Sequence, residues 1–292
     1  MPVRELTSSP SMKVLYPKAV AGAGRSVLRK LPVIGGAEPR LPDVELAIPE
    51  VEIDRGHLAA YDRVCGFRLR DELPPTYPHV IVFPLSMQLM TQSDFPFPVI
   101  GLVHIGNRIE QLRPIHAQEI LSVRVRADDL GDHDRGTRFD LVAEAEAGGE
   151  PVWRGRSTYL HREGNGSPGG GGERPEPPRP SAVWNVPGDI GRRYADVSGD
   201  RNPIHLHPLS ARLFGMPGAI AHGMWLKARC LAALEGLTPD RFHVEVQFKL
   251  PLPIPGRASF ASWPAGGGRD FAVHDKENVK PHLAGEMRWS SS

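Results

Sequence analysis

The chain repeats itself. Tyr61-Asp-Arg-Val-Cys65-Gly66-Phe67 lines up with Tyr194-Ala-Asp-Val-Ser198-Gly199-Asp200, keeping the Tyr, the Val and the Gly and setting small Cys65 opposite Ser198. Downstream, Pro78–Met90 (PHVIVFPLSMQLM) lines up with Pro217–Arg229 (PGAIAHGMWLKAR), and Pro114 with Pro253. The register slips between the first match and the later ones, so the first copy has the shorter loop there. A period of about 135 residues is too long for a solenoid and reads as a duplicated domain. Whatever the folding unit is, it must be built twice, and 292 residues leave room for two domains.

The unit reads as α+β, with helix and antiparallel strands segregated in each half. In the first half, Val51–Phe67 has a strand-like start and then an amphipathic helix. Ser122–Arg126 (SVRVR) and Arg138–Ala145 (RFDLVAEA) alternate apolar and polar residues as half-buried antiparallel strands do. Asp128–Gly136 supplies hairpin turn chemistry, and Pro151–His161 is a closing strand. In the second half an apolar helix runs from Gly223 to Leu234, with Gly236 as its expected stop. Arg241–Leu250, Arg257–Trp263, Asp270–His274 and Leu283–Trp289 come next as strands. Between the halves, Glu163–Pro180 (EGNGSPGGGGERPEPPRP) cannot bury a core and is a linker. The expected division is therefore an N-terminal domain over 1–162, a linker over 163–180 and a C-terminal domain over 181–292. Residues 1–45 carry a short helix around Ala19–Leu31 and Pro-rich turns, an arm that either packs on the first domain or is partly disordered.

Composition excludes several classes of partner. With 35 Lys and Arg scattered against 34 Asp and Glu, the chain has no basic field for nucleic acid. No apolar run approaches the roughly 20 residues that span a bilayer. The N-terminus has Lys13 inside its only apolar part and does not read as a secretory signal. Cys65 and Cys230 are expected to stay reduced, in a cytoplasmic protein.

The chemistry concentrates in residues 194–236. Asp200, Asn202 and His205 lie close together, and Pro203 pushes Asn202 toward extended backbone, so a curled loop rather than a helix aims Asp200 and His205 at one point. The helix that opens at Gly223 offers unpaired amides to a developing negative charge. A carboxylate and an imidazole facing such a helix start suit chemistry beside a carbonyl. The plain alternative is a turn with Asx caps and a surface histidine. His222 reads as a capping or packing residue, and Ser198 and Tyr194 as hydrogen-bonding supports of the loop. A metal site on Asp200, His205 and His207 lacks any further ligand cluster, and a Ser198 hydrolase lacks the nucleophile elbow. The first copy has Phe67 where the second has Asp200, Glu72 opposite His205, and Pro84, which has no N–H, opposite Gly223. It therefore reads as non-catalytic, leaving Val80–Met90 and Phe95-Pro-Phe-Pro98 as core or as part of another surface.

The string YADVSGDRNPIH over 194–205, followed by Ala221-His-Gly-Met224, resembles the signature of the MaoC-like, (R)-specific enoyl-CoA hydratases (hydratase 2) and 3-hydroxyacyl-thioester dehydratases. The resemblance implies a double hot dog, two curved antiparallel sheets each wrapped around a helix and packed as a pseudo-dimer. It implies that Asp200 and His205 hold one water while the Gly223 amide polarises a thioester carbonyl. It also implies a degenerate first copy that makes room for the acyl chain. The expected reaction is reversible syn hydration of trans-2-enoyl thioesters to (3R)-hydroxyacyl thioesters in fatty-acid metabolism. The substrate is carried on CoA or acyl-carrier protein, with no cofactor and no metal. A chain holding both halves is compatible with a monomer or a homodimer. The alternatives are a hot-dog thioesterase and a non-enzymatic acyl-thioester-binding module; a binder would need no proton-transfer pair.

Overall fold

The computed structural model describes residues 1–29, 38–162, 178–277 and 279–289, with backbone only over 21–29. The arm contributes β1 (Val3–Glu5) and α1 (Met12–Arg29). The first half then runs β2 (Glu45–Val51), α2 (Arg55–Cys65), α3 (Tyr77–Met90), β3 (Val103–Gln111), β4 (Leu121–His133), β5 (Gly136–Ala147) and β6 (Glu150–Arg162). The second half runs β7 (Ala182–Val186), α4 (Ile190–Ser198), α5 (Pro203–Leu206), α6 (Pro208–Leu213), α7 (Gly223–Ala233), β8 (Phe242–Phe248), β9 (Gly256–Ala265), β10 (Gly268–Asp275) and β11 (Pro281–Arg288). Among these helices none is long and apolar enough to cross a membrane.

The strands form one sheet in the order β1-β2-β4-β5-β6-β3-β8-β11-β10-β9-β7. Taken inward from each end, the two halves have the same order, β2-β4-β5-β6-β3 and β7-β9-β10-β11-β8. They meet along the antiparallel β3–β8 pair, where Asn107 faces Val246 and Ile109 faces Val244. The duplication seen in sequence is thus a near two-fold arrangement about one strand pair. Leu85 and Leu89 of α3 are fully buried along with Val123 and Val125 of β4 and Ala145 of β5, whose alternation turns every second side chain inward. The same logic buries Ala228 and Leu231 of α7 with Val244, Leu283 and Met287 of the second half.

Several local expectations are corrected. The arm's helix begins at Met12 rather than Ala19, with Pro17 inside it, and Leu15 and Ala19 are buried against the core. The β4–β5 hairpin pairs as far as His133 with Gly136, so the turn is much tighter than Asp128–Gly136. The Gly-Asp composition there is used by a register shift between Asp128 and Gly131, with Asp129 at φ +50°. Gly236 lies in a 3₁₀ turn (Glu235–Leu237) after α7 instead of stopping the helix in the left-handed region. Most of the predicted linker, 163–177, lies outside the described residues. Cys65 and Cys230 are free and buried.

Candidate active site

Helix α4 ends on Gly199 at φ +74°, whose N–H donates to the Ala195 carbonyl. The left-handed cap reverses the chain, and glycine is the residue that adopts it without strain. Gly66, at φ +84°, ends α2 in the same way, so the motif's scaffold is present in both copies. After the cap, the Asp200 N–H donates to Ser198 Oγ at 3.1 Å. Asn202 is extended (φ −56°, ψ 124°), as Pro203 requires. The next residues form one helical turn, α5, and not the curled loop expected. Proline at the first position of a turn sacrifices no hydrogen bond, and Asn202 Oδ1 accepts the Ile204 N–H at 3.4 Å. That turn carries His205 back beside Asp200.

Gly191 makes the approach possible. A Cβ there would lie 1.9 Å from the His205 carbonyl oxygen, so α4 and α5 can touch only because residue 191 has no side chain. Gly191→Ala is expected to push His205 off its position. A loss of stability of about 1–3 kcal/mol should accompany a fall in catalytic rate approaching 10²-fold, readable by thermal denaturation and turnover.

His205 is buried, and its Nδ1–H donates to the Ile220 carbonyl at 2.8 Å. Since a carbonyl only accepts, that bond fixes the tautomer and leaves Nε2 as the basic nitrogen. Burial holds the His205 pKa below the ordinary imidazole value, against the pull of Asp200. Burial alone would raise the Asp200 carboxyl; His222 and His205, the Asn202 N–H and the Tyr16 hydroxyl together hold it below the usual carboxylate range.

His222 occupies the residue before α7, but its side chain makes no cap. Its Nε2–H donates to the Asp200 carbonyl at 2.9 Å, its ring stacks on His205 with centroids 3.7 Å apart, and Tyr194 packs against it with centroids 4.9 Å apart. Burial and the neighbouring His205 push its pKa down to about 3, so it is neutral. His207, one of the three candidate metal ligands in the sequence, turns away and accepts the Leu209 N–H at the start of α6. The donor atoms that converge are those of Asp200, His205 and His222, within 4.8 Å of one another, and these could also hold a metal ion.

Helix α7 starts at Gly223 because the preceding residues are committed to other bonds. Ile220 N–H donates to Ile204, Ala221 N–H to Leu252, and Ile254 N–H to Ala219, so the chain cannot coil earlier. The first-turn amides of α7, which have no partner inside the helix, then start beside the motif. A Cβ at Gly223 would stand 2.9 Å from the Phe248 ring. In the first half the equivalent helix, α3, begins at Tyr77 and runs through Pro84. That copy therefore lacks the helix start itself as well as the N–H.

Asp200, His205, Gly223 and Asn202 line one cavity of about 410 Å³ that extends along Val80, Phe83, Met87 and Met90 of α3. Phe67, Phe95 and Phe97 take no part in it: Phe67 stacks on Tyr61, and Phe95 and Phe97 pack on Phe139 in the core. Four lining residues escape a reading of the sequence. Tyr16 comes from α1, and its hydroxyl donates to Asp200 Oδ1 at 2.9 Å. His79, His104 and Tyr159 come from the first half, with the His104 and Tyr159 rings stacked at 4.6 Å. Burial pushes His79 to about 4 and His104 to about 3, so both are neutral. The one available signal was an ionisable residue set in an apolar run, as in PHVIVF and LVHIG; Tyr16 had none.

A family profile described as "MaoC like domain" matches residues 173–283. The 3-hydroxyacyl-thioester dehydratase X of Mycobacterium tuberculosis is 36% identical over 276 residues, covering 93% of this chain and 98% of the relative. A crystal structure of HtdX from the same organism superposes with a TM-score of 0.76 at 37% identity, over 84% of this chain and 100% of that one. A further M. tuberculosis structure, described as a double hot-dog fold, matches with a TM-score of 0.51 at 12% identity, over 82% of this chain and 92% of that one. The architecture is the double hot dog.

Proposed function

The chain belongs to the MaoC-like dehydratases, a family of hydro-lyases, and on that premise we propose that it interconverts trans-2-enoyl and (3R)-hydroxyacyl thioesters carried on CoA or acyl-carrier protein. The reading assigns Asp200 and His205 as the pair that holds one water, Gly223 as the oxyanion donor, and the first half as a non-catalytic wall for the acyl chain. One observation carries it: His205 spends Nδ1 on the Ile220 carbonyl, which leaves Nε2 free beside Asp200 in a cavity shared with the α7 helix start.

In the hydration direction the water oxygen bonds to C3 while His205 Nε2 takes one of its protons. That proton then passes to C2 on the same face, which makes the addition syn. Asp200 accepts a hydrogen bond from the water's other O–H, which stays on the oxygen as the product hydroxyl, and stabilises the imidazolium that forms transiently. Negative charge builds on the thioester oxygen, where the Gly223 N–H waits; losing such a donor typically costs about 2.7–4 kcal/mol. Asn202, Ser198, Tyr194 and His222 hold the loop and the Asp200 backbone in place. The apolar stretch from Val80 to Met90 supports an acyl chain lying along α3.

The test monitors the enoyl absorbance of crotonyl-CoA and of a longer trans-2-enoyl-CoA, with assignment of the product's configuration. Loss of the signal without free thiol, giving the (3R) product, is the expected result. Thiol release would place the protein with the thioesterases, and inertness on both carriers with the binding modules. Because His205 is held below the ordinary imidazole value and must be neutral to accept a proton, the hydration rate should stay flat through neutral pH and fall only on the acid side of about pH 6.5.

A further inference from the structure

With Asp200 assigned as catalytic under the reading above, we propose that Tyr16 is a positioning residue for its carboxylate, so that the N-terminal arm is a working part of the active site. Helix α1 is anchored by Leu15 and Ala19, both buried in the core, and Met12 lies over the Gly199 cap, with its Cγ 3.4 Å from where a Cβ on Gly199 would be. This seat delivers the Tyr16 hydroxyl into the motif from 184 residues away. The hydroxyl is used twice: it donates to Asp200 Oδ1, and it accepts the Arg201 N–H. The Asn202 N–H donates to the same Oδ1 at 3.1 Å.

The two carboxylate oxygens are held unequally. Oδ1 is occupied by two donors, while Oδ2 lies on the side of His222, 3.9 Å from its Nε2. A carboxylate fixed through one oxygen presents the other in a defined direction, and Oδ2 is then the oxygen left for the water. Without the Tyr16 hydroxyl, Oδ1 keeps the Asn202 N–H as a single donor, and rotation about the Cβ–Cγ bond is less restrained. The ionisable side chains facing Asp200 are His205 of α5, His222, Tyr194 of α4, Tyr16 of α1, and His79, His104 and Tyr159 of the first half. None of the four histidines is held above its ordinary pKa when Tyr16 is in place, because each is buried. Among the described residues, the Tyr16 hydroxyl is thus the one side-chain donor to Oδ1.

The experiment compares the wild-type chain with Tyr16→Phe, which keeps the ring and its packing, and with 3-fluorotyrosine at position 16, which keeps the donor. Tyr16→Phe is expected to lower kcat by about tenfold, the size of one charge-assisted hydrogen bond, with KM within about twofold and an unchanged melting temperature. The Asp200 carboxyl, followed by carbon NMR titration, should move up in Tyr16→Phe and stay near wild type in the fluorotyrosine protein. The fluorotyrosine protein should keep its kcat. A Tyr16→Phe protein with wild-type kcat and an unmoved Asp200 titration overturns the proposal, and so does a defect seen only in KM, which would make Tyr16 a substrate contact. The NMR titration reads out whether or not the enzyme turns over, so an inactive wild type would refute the reaction assigned above while the titration still decides the Tyr16 contact.

Discussion

Replacing His205 with Gln should lower the rate of enoyl-thioester hydration by about 10³-fold or more, within the range for loss of a positioned general base. The turn of α5 is also held by backbone bonds, the His205 N–H to the Asn202 carbonyl and the Ile220 N–H to the Ile204 carbonyl, so it should survive and the melting temperature should move little. What disappears is the basic Nε2. Asp200→Asn should show a comparable loss for a different reason: the amide cannot accept from both Tyr16 and the Asn202 N–H while also orienting a water and balancing an imidazolium. Because the two groups act on one water, the double variant should be little worse than either single one, as happens when residues act as a unit. Steady-state kinetics on crotonyl-CoA decide it. A His205→Gln protein within tenfold of wild type would remove His205 from the chemistry.

The second large effect concerns the junction of the halves. Lys227 of α7 is completely buried, which pushes its pKa well below the ordinary lysine value, and its Nζ lies within hydrogen-bond reach of the Asn107 carbonyl at 3.1 Å, Asn107 Oδ1, and the Val244 carbonyl at 3.3 Å. Asn107 sits on β3 and Val244 on β8, so one side chain ties α7 to the strand pair that joins the two copies. Asn107 is held in turn, with its amide donating to Ser157 Oγ at 3.0 Å. Lys227→Met keeps most of the volume and removes the donors, leaving buried acceptors short of partners. The expected loss is about 3 kcal/mol in chemical denaturation, since each such group costs about 1–3 kcal/mol. Lys227→Ala should lose more, because it adds a cavity. A Met variant as stable as wild type would show that the seam needs no polar tie.

Much of the fold and part of the site can be read from the chain. The paired Tyr-x-x-Val-x-Gly segments announce the duplication because the same helix cap is built twice, at Gly66 and Gly199, and a left-handed cap strongly favours glycine. Strands such as 122–126 and 242–248 announce themselves because alternate side chains turn into the core. Asp200, His205 and Gly223 are legible because they are close in sequence and because their counterparts, Phe67, Glu72 and Pro84, lack the needed chemistry. The misreading is local: Pro203 reads in sequence as opposing a helix, whereas it starts one. Of the two roles read for His222, capping or packing, the structure takes packing, against the His205 ring.

Sequence by itself determined the unit, its duplication, and which copy keeps the motif, since these depend on residue type and on spacing along the chain. Only the tertiary structure decided that Tyr16, His79, His104 and Tyr159 face the same cavity as the motif, that Gly191 must be bare, and that Lys227 ties β3 to β8. Those contacts join residues far apart in the chain, where no local periodicity records them. They exist because closing the two halves of the one sheet around their helices brings an arm, two helix faces and a strand seam within hydrogen-bond reach of one carboxylate and one buried lysine.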